Sequence, residues 1–301
     1  MTLGPHPDYV KAGKIAARVL DEVSQAAVPK TKVIKLCTMA ERKIVDYGGR
    51  PAFPCNICID HIAAHRTSPL NDDAAIPAFG LVKIDIGVHI DGHIVDTALT
   101  KDMDGTLEGF ITATEDALDD ALDLMRPGIE LSEVGKSIEK VIKAYGLRPI
   151  KNLTGHNIKR YKLHGGKTLP NTKTRSRGRI EAGEYYAIEP YATTGFGEVL
   201  DTDFVYIFTN SVLDEPSKGT TEKLRVYLRK KYGPLPFTAR WIKSTSSEVS
   251  LLDEFKLLVK SKAIIGHPMQ VEKGTRPVSV SEHTVFISDK KPIILTKLRE
   301  D

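Results

Sequence analysis

Cysteine is scarce in these 301 residues: there are three, Cys37, Cys55 and Cys58. Three thiols cannot form a disulfide framework, which excludes the small stapled secreted classes and makes the reducing cytoplasm the simplest setting. Cys55 and Cys58 form one C-x-x-C, but no second pair follows at zinc-site spacing, so packing is their expected role. Long apolar runs are missing as well. No stretch approaches the roughly 18 residues that a membrane-spanning helix needs. The opening Met1-Thr-Leu-Gly-Pro-His-Pro lacks the charged and apolar regions of a signal peptide. Net charge is only +4, too little to argue for a nucleic-acid partner. Within those limits, 41% hydrophobic and 27% charged residues describe an ordinary globular chain, long enough for one large domain or two small ones.

What is present begins with residues 82–96, which alternate apolar and polar about Asp91-Gly92, a two-residue hairpin signal. Pairing across that turn sets Ile90 opposite His93, Val88 opposite Val95 and Gly87 opposite Asp96. A period of two then places Ile84, Ile86, Val88 and Ile90 on one face, and Lys83, Asp85, Gly87 and His89 on the other. Asp85 and Asp96 become diagonal neighbours roughly 7–8 Å apart at Cβ, within reach of a shared cation. A solvated polar face is the alternative. Gly87 argues against it, because a glycine inside a strand often marks a close approach to the backbone.

An offset of 98 residues superimposes residues 29–51 on 127–149 without a gap, matching Glu41/Glu139, Ile44/Ile142, Tyr47/Tyr145, Gly48/Gly146 and Arg50/Arg148. The three-and-four spacing of apolar positions predicts an amphipathic helix in each copy, stopped by Gly-x-Arg-Pro. Another helical pattern precedes each: Ile15, Val19 and Val23 in the first, Ala113, Ala117, Leu118, Ala121 and Leu122 in the second. Duplicated halves that share one curved sheet, with helices outside it, make an α+β architecture with a cleft between the halves. The pattern breaks after residue 209. Helix candidates at 223–231 and 254–262 follow, and strand alternation returns at 278–287. Residues 210–267 therefore read as a helical insertion into a domain made of residues 1–209 and 268–301.

Further ligands for a cation are sought near strand ends of the second half. His156 follows a glycine at an expected loop, while Glu189 and Glu282 sit in apolar strands, where an unpaired carboxylate is costly. An arginine partner is the plain alternative for either glutamate. With Asp85 and Asp96 they make four carboxylates and one histidine, a set that suits two hard-to-borderline divalent ions. Cations would also relieve the repulsion among four anions.

Taken together, residues 53–65, 83–97, 152–164, 187–190 and 282–284 resemble the type II methionine aminopeptidases, and the likeness extends over nearly the whole chain. Residues 235–242 are similar to part of the type II insertion. The resemblance implies a pita-bread fold, two pseudo-symmetric halves around a curved antiparallel sheet plus the helical insertion. It implies removal of initiator methionine from peptides and nascent proteins by two-metal hydrolysis, with cobalt, manganese, iron or zinc. Carried over, Asp85 holds one metal, Asp96 and Glu282 bridge the pair, and His156 and Glu189 complete the other. Glu189 would also shuttle a proton, His164 would stabilise the oxyanion and His65 would bind the substrate backbone. Phe53, Leu163 and His164 would line the methionine pocket. His89, His93 and His283 are read as structural. A cytoplasmic monomer that works near the ribosome, without membrane or specific nucleic acid, fits the family. Two other readings stay open: an X-Pro aminopeptidase on the same fold, and a metal-free relative that binds ribosome or RNA. Arg66, Ser68, Gly165 and Val280 depart from the family pattern.

Overall fold

The computed structural model describes residues 3–175, 178–211, 220–242 and 248–298; the readings at Met1 and Thr2 and at parts of segment 210–267 lie outside these. The first half opens with α1 (Pro7–Ala26) and α2 (Val33–Asp46), the second with α3 (Glu108–Leu124) and α4 (Leu131–Ala144). α2 and α4 begin and end 98 residues apart, as the internal repeat requires. Each is stopped by a glycine in the left-handed region, Gly48 at φ +83° and Gly146 at φ +74°. Ile15, Val19 and Val23 of α1 are buried, as are Ala113, Ala117, Leu118, Ala121 and Leu122 of α3.

The strands run β1 (Arg50–Pro51), β2 (Asn56–Ile59), β3 (Ile62–Ala64), β4 (Leu81–Ile90), β5 (His93–Asp102), β6 (Arg148–Pro149), β7 (Thr154–Ile158), β8 (Thr168–Pro170), β9 (Tyr185–Ile188), β10 (Tyr191–Thr193), β11 (Val199–Asn210), β12 (Ile264–Glu272), β13 (Val278–Val280), β14 (His283–Ile287) and β15 (Pro292–Ile294). β4 and β5 pair in the register expected, Ile90 with His93 and Gly87 with Asp96. Asp91 and Gly92 both have positive φ, +46° and +81°, the backbone that a tight right-twisted hairpin demands. The apolar face of this hairpin, with Ile84, Ile86, Val88 and Val95, packs under α1 and α2. In the second half Tyr186, Ile188, Val285 and Ile287 pack under α3 and α4 in the same manner.

One expectation is modified and one alternative, the solvated polar face, is removed. The described strands form four separate antiparallel groups, β1 and β2 on β4 with β5, β13-β10-β6, β11-β12-β3, and β15-β14-β9-β7-β8, where one continuous sheet was expected. The polar face of the hairpin is also covered: Lys83 is fully buried, and its ammonium donates to the carbonyls of Asp60 at 2.7 Å and Val278 at 2.8 Å. Between β11 and β12 lie α5 (Thr220–Tyr232) and α6 (Glu248–Lys260), the latter starting six residues before the expected 254. β12 crosses the 267/268 boundary and pairs with β11 along most of its length. Leu228, Phe237, Phe255 and Leu258 give this segment its own apolar cluster. Arg240 ties it to α2 through two bonds to the buried Glu41 carboxylate, 2.6 and 2.7 Å. Among the described residues, no helix is long and apolar enough to cross a membrane.

Candidate metal centre

Each half delivers acidic side chains to one point. Asp85 comes from the middle of β4 and Asp96 from β5, directly opposite Gly87. Glu282 stands in the turn between β13 and β14, Glu189 just after β9, and His156 within β7. Oxygens of Asp85, Asp96 and Glu282 all lie within 4.8 Å of one another. His156 Nε2 is 3.7 Å from Asp96 Oδ2 and 3.5 Å from Glu189 Oε1. The five residues picked from sequence are therefore brought together. Among the described residues, His156 is the only basic side chain within ion-pairing distance of the four carboxylates, so the arginine alternative for Glu189 and Glu282 falls away.

The seam between the halves passes through this point. Asp96 N–H donates to Thr284 Oγ1 at 2.7 Å, and the Thr284 hydroxyl donates to the Asp96 carbonyl at 2.7 Å. Thr97 Oγ1 donates to Glu282 O at 2.8 Å, and Glu282 N–H to Ala98 O at 2.9 Å. Thr97 and Thr284 follow closely on Asp96 and Glu282 in the chain, yet sequence reading assigned them no role. They tie the strands that carry Asp96 and Glu282, from distant parts of the chain, to one another.

Electrostatically the cluster is unsatisfied. Burial, then the neighbouring carboxylates, push Asp96 and Glu282 well above the usual carboxylate range. Burial and Asp85 do the same to Glu189. Burial lifts Asp85 to about 7, although a hydrogen bond with Asp96 opposes the rise. Burial and His164 pull His156 down to about 3, so its imidazole is neutral and its contacts with Asp96 and Glu189 are not ion pairs. Asp85 Oδ1, Asp96 Oδ1 and Glu282 Oε1 are buried without a hydrogen-bond partner. A native interior rarely leaves such atoms unpaired. Carboxylate oxygens and one neutral imidazole nitrogen are the donors that divalent metal ions take. The residues fit a metal.

Three histidines stand around this cluster. His164 is exposed at the rim, its ring 4.3 Å from that of His156 in an edge-on arrangement. His65 lies just past β3 with φ +61°, and its Nδ1 is 3.1 Å from Pro268 O. His267 on β12 is a third, 6.1 Å from His65 between ring centroids, with Nε2 3.0 Å from Thr209 Oγ1. Desolvation lowers the pKa of all three, most for His267, to about 4. His267 was missed because nothing marks it within a charged, weakly patterned segment.

Phe53 lies in an apolar cluster with Ala52, Ile94, Ile158 and Leu235, and Leu163 packs against it. Leu235 comes from the segment between β11 and β12. The ring of Phe53 lies against Gly87, where an added Cβ would come within 2.2 Å of Phe53 Cε1. That contact is the close approach inferred from the glycine.

The departures have physical reasons. Arg66 and Ser68 both hold Asp72, at 3.1 and 2.9 Å, and Arg66 also donates to Ile57 O. At Gly165 a Cβ would meet Asn157 Oδ1 at 2.8 Å, so an alanine would not fit without a shift. Val280 is buried with Ala63, Ala98 and Tyr191, its backbone bonded to Thr100. Cys37, Cys55 and Cys58 are buried and free, consistent with packing.

Comparisons with known proteins give the family and the fold. The profile of metallopeptidase family M24 matches residues 8–213. The methionine aminopeptidase of Methanocaldococcus jannaschii is 37% identical over 297 residues, covering 99% of this chain and 100% of the relative. Among solved structures, a thermophilic Arx1 superimposes with a TM-score of 0.86 at 19% identity, covering 98% of this chain and 91% of that one. Methionine aminopeptidase from Thermotoga maritima does so with 0.71 at 20% identity, covering 99% and 100%. At those identities the structural likenesses are of fold, the pita-bread fold.

Proposed function

The chain belongs to metallopeptidase family M24, among its methionine aminopeptidases, and from that premise we propose that it removes N-terminal methionine from peptides and newly made proteins with two divalent ions held by Asp85, Asp96, His156, Glu189 and Glu282. The observation that carries this reading is the convergence of four carboxylates, Asp96 and Glu282 buried and Asp85 and Glu189 half-buried, on a neutral imidazole, with three oxygens left unpaired. In this assignment Asp85 would hold one ion, His156 and Glu189 would hold the other, and Asp96 and Glu282 would serve the pair jointly. When bound, the ions supply Lewis acidity and a nucleophile at neutral pH.

The remaining work falls to the chain's own groups. Glu189, 3.5 Å from His156, takes a proton from the attacking water and passes it to the leaving amine. His164, at the open rim, donates to the oxyanion of the tetrahedral intermediate. His65 donates Nδ1–H to Pro268 O, which leaves Nε2 as an acceptor for a substrate backbone N–H. Phe53, Leu163 and Leu235 form the apolar wall for the methionine thioether, a polarisable group that favours aromatic contact. A free α-amine, which an internal peptide lacks, would bind at this centre and so restrict cleavage to the chain end. Cobalt, manganese, iron and zinc all suit this donor set. The segment of residues 210–267, between the two domain parts 1–209 and 268–301, supplies Leu235 and so shapes the pocket. A monomer acting on nascent chains in the cytoplasm fits these parts.

The test is cleavage of a Met-Ala-Ser peptide by protein stripped of metal, with each divalent ion returned separately. Activity restored by two equivalents and abolished in Asp96→Ala supports the reading; full activity in the stripped protein, or in Asp96→Ala, overturns it.

A further inference from the structure

Two ladders run into one another at the central cluster. Ile188 of β9 is paired with His283 of β14, and Tyr191 of β10 with Val280 of β13. Both pairs belong to one register, so Glu189 stands opposite Glu282. Tyr191, opposite Val280, comes next along the same face. The packing follows this alternation. Tyr186, Ile188 and Ala192 lie beneath α3 and α4, whereas Ala187 and Tyr191 belong to clusters on the other side. Period two therefore puts the Tyr191 side chain on the face that carries the carboxylates.

Tyr191 is 6% exposed and packs with Ala63, Ala98, Val278 and Val280, all apolar. Ala98 is the β5 residue paired with Asp85, so the same ring also borders the first half. A buried phenol takes a hydrogen-bond partner. Glu189 supplies it: its carboxylate is within hydrogen-bonding reach of the Tyr191 hydroxyl. The charges of Asp85 and Glu282 act on the same phenol. The other ligands are steadied differently. Thr284 and Thr97 hold the backbones of Asp96 and Glu282. Asn171 donates to the Glu189 carbonyl at 3.0 Å, which fixes that backbone but does not orient the carboxylate.

We propose that Tyr191 is a positioning residue for the metal centre: its hydroxyl donates to the Glu189 carboxylate, keeps it turned toward His156, and so raises affinity for the ion those two residues would hold. Glu189 Oε1 already lies 3.5 Å from His156 Nε2. A carboxylate offers about four lone-pair sites, so one phenol donor leaves the others for an ion. Donors behind a ligand typically change metal affinity by about 10–100-fold. This role rests on Glu189 being a ligand, the assignment made above. Sequence reading gave Tyr191 no part, because its partner follows from the register of two strands.

The experiment titrates metal-stripped wild type, Tyr191→Phe and Tyr186→Phe with Mn²⁺ by calorimetry. Phenylalanine at 191 keeps the ring among its apolar neighbours, so the variant should fold. Tyr186→Phe removes a buried hydroxyl on the opposite face, where Tyr186 donates to Glu184 at 2.7 Å. Tyr191→Phe is expected to weaken one Mn²⁺ equivalent by about tenfold or more, and Tyr186→Phe to weaken neither. At limiting Mn²⁺, kcat of Tyr191→Phe for Met-Ala-Ser should fall while KM changes by less than about twofold, and excess Mn²⁺ should restore kcat. Mn²⁺ bound by Tyr191→Phe as tightly as by wild type overturns the proposal, as does equal weakening in Tyr186→Phe. Wild type that takes up no Mn²⁺ overturns the parent assignment instead, and the role of Tyr191 with it.

Discussion

Replacing Gly87 by alanine tests the link between the strand that carries Asp85 and the pocket that Phe53 walls. The new Cβ would lie 2.2 Å from Phe53 Cε1, 2.5 Å from Cδ1 and 2.9 Å from Cζ. Carbon atoms pack at about 3.5–4.0 Å, so the ring must retreat by about 1.3 Å or more. It has little room to do so. Phe53 is 6% exposed and enclosed by Ala52, Ile94, Ile158 and Leu235. Overpacking of this kind costs about 1–3 kcal/mol. Gly87 has no positive φ, so alanine meets no backbone penalty there and recovers about 0.5 kcal/mol of strand preference. A net loss of about 1–2 kcal/mol lowers Tm by roughly 2–6 °C in a domain of this size. The displaced ring enters the methionine pocket, and kcat/KM for Met-Ala-Ser is expected to fall about tenfold, equivalent to ~1.4 kcal/mol. Metal content should not change, because neither Asp85 nor Asp96 moves. Adding Phe53→Leu to Gly87→Ala makes space for the methyl, so the double variant should be more stable than Gly87→Ala alone. Calorimetry, steady-state kinetics and elemental analysis read these three quantities. An alanine variant with wild-type Tm and kcat/KM, or a double variant with no recovery, would refute the reasoning.

Other expectations follow from the same structure. Stripping metal should lower Tm at neutral pH, because four buried or half-buried carboxylates then face one another without counter-charge, and returning Mn²⁺ should restore it; a Tm indifferent to metal would contradict the site. Arg240→Met strands the buried Glu41 carboxylate and should cost about 3–5 kcal/mol in denaturant unfolding. Adding Glu41→Leu should recover most of that loss, whereas an equally unstable double variant would argue against the pairing. Thr284→Val removes both bonds to the Asp96 backbone and should reduce metal affinity by about 10–100-fold, as losses behind a metal ligand do, with little change in KM. Glu22 is raised by burial but brought down to about 2 by the hydrogen bonds of Lys43, Tyr47 and Arg18. A depressed carboxylate stabilises the fold fully above its ordinary value of 4.5 and loses that effect as pH falls toward 2. Glu22→Gln should therefore cost up to about 1 kcal/mol at pH 7 and distinctly less at pH 3; a Tm gap independent of pH would count against it.

The amino-acid sequence by itself determined whatever depends on neighbours along the chain. Alternation about Asp91-Gly92 specified the register of the hairpin, since a one-residue slip would invert every side chain. The 98-residue repeat located α2, α4 and their glycine stops, because helical period and stop signals are local. Gly87 announced a close approach without naming its cause. Only tertiary structure decided what lay on the other side: the ring of Phe53, the wall added by Leu235, and the cover over Lys83. It also separated the strands into four groups where one sheet was expected. Whether Glu189 and Glu282 had arginine partners was undecidable from sequence, because a partner can come from anywhere in the chain. Thr284 meets Asp96 across 188 residues, and His267 joins His65 across a segment with no pattern of its own. Local periodicity cannot encode contacts of that range; they arise when two packed halves bring their strand ends to one seam.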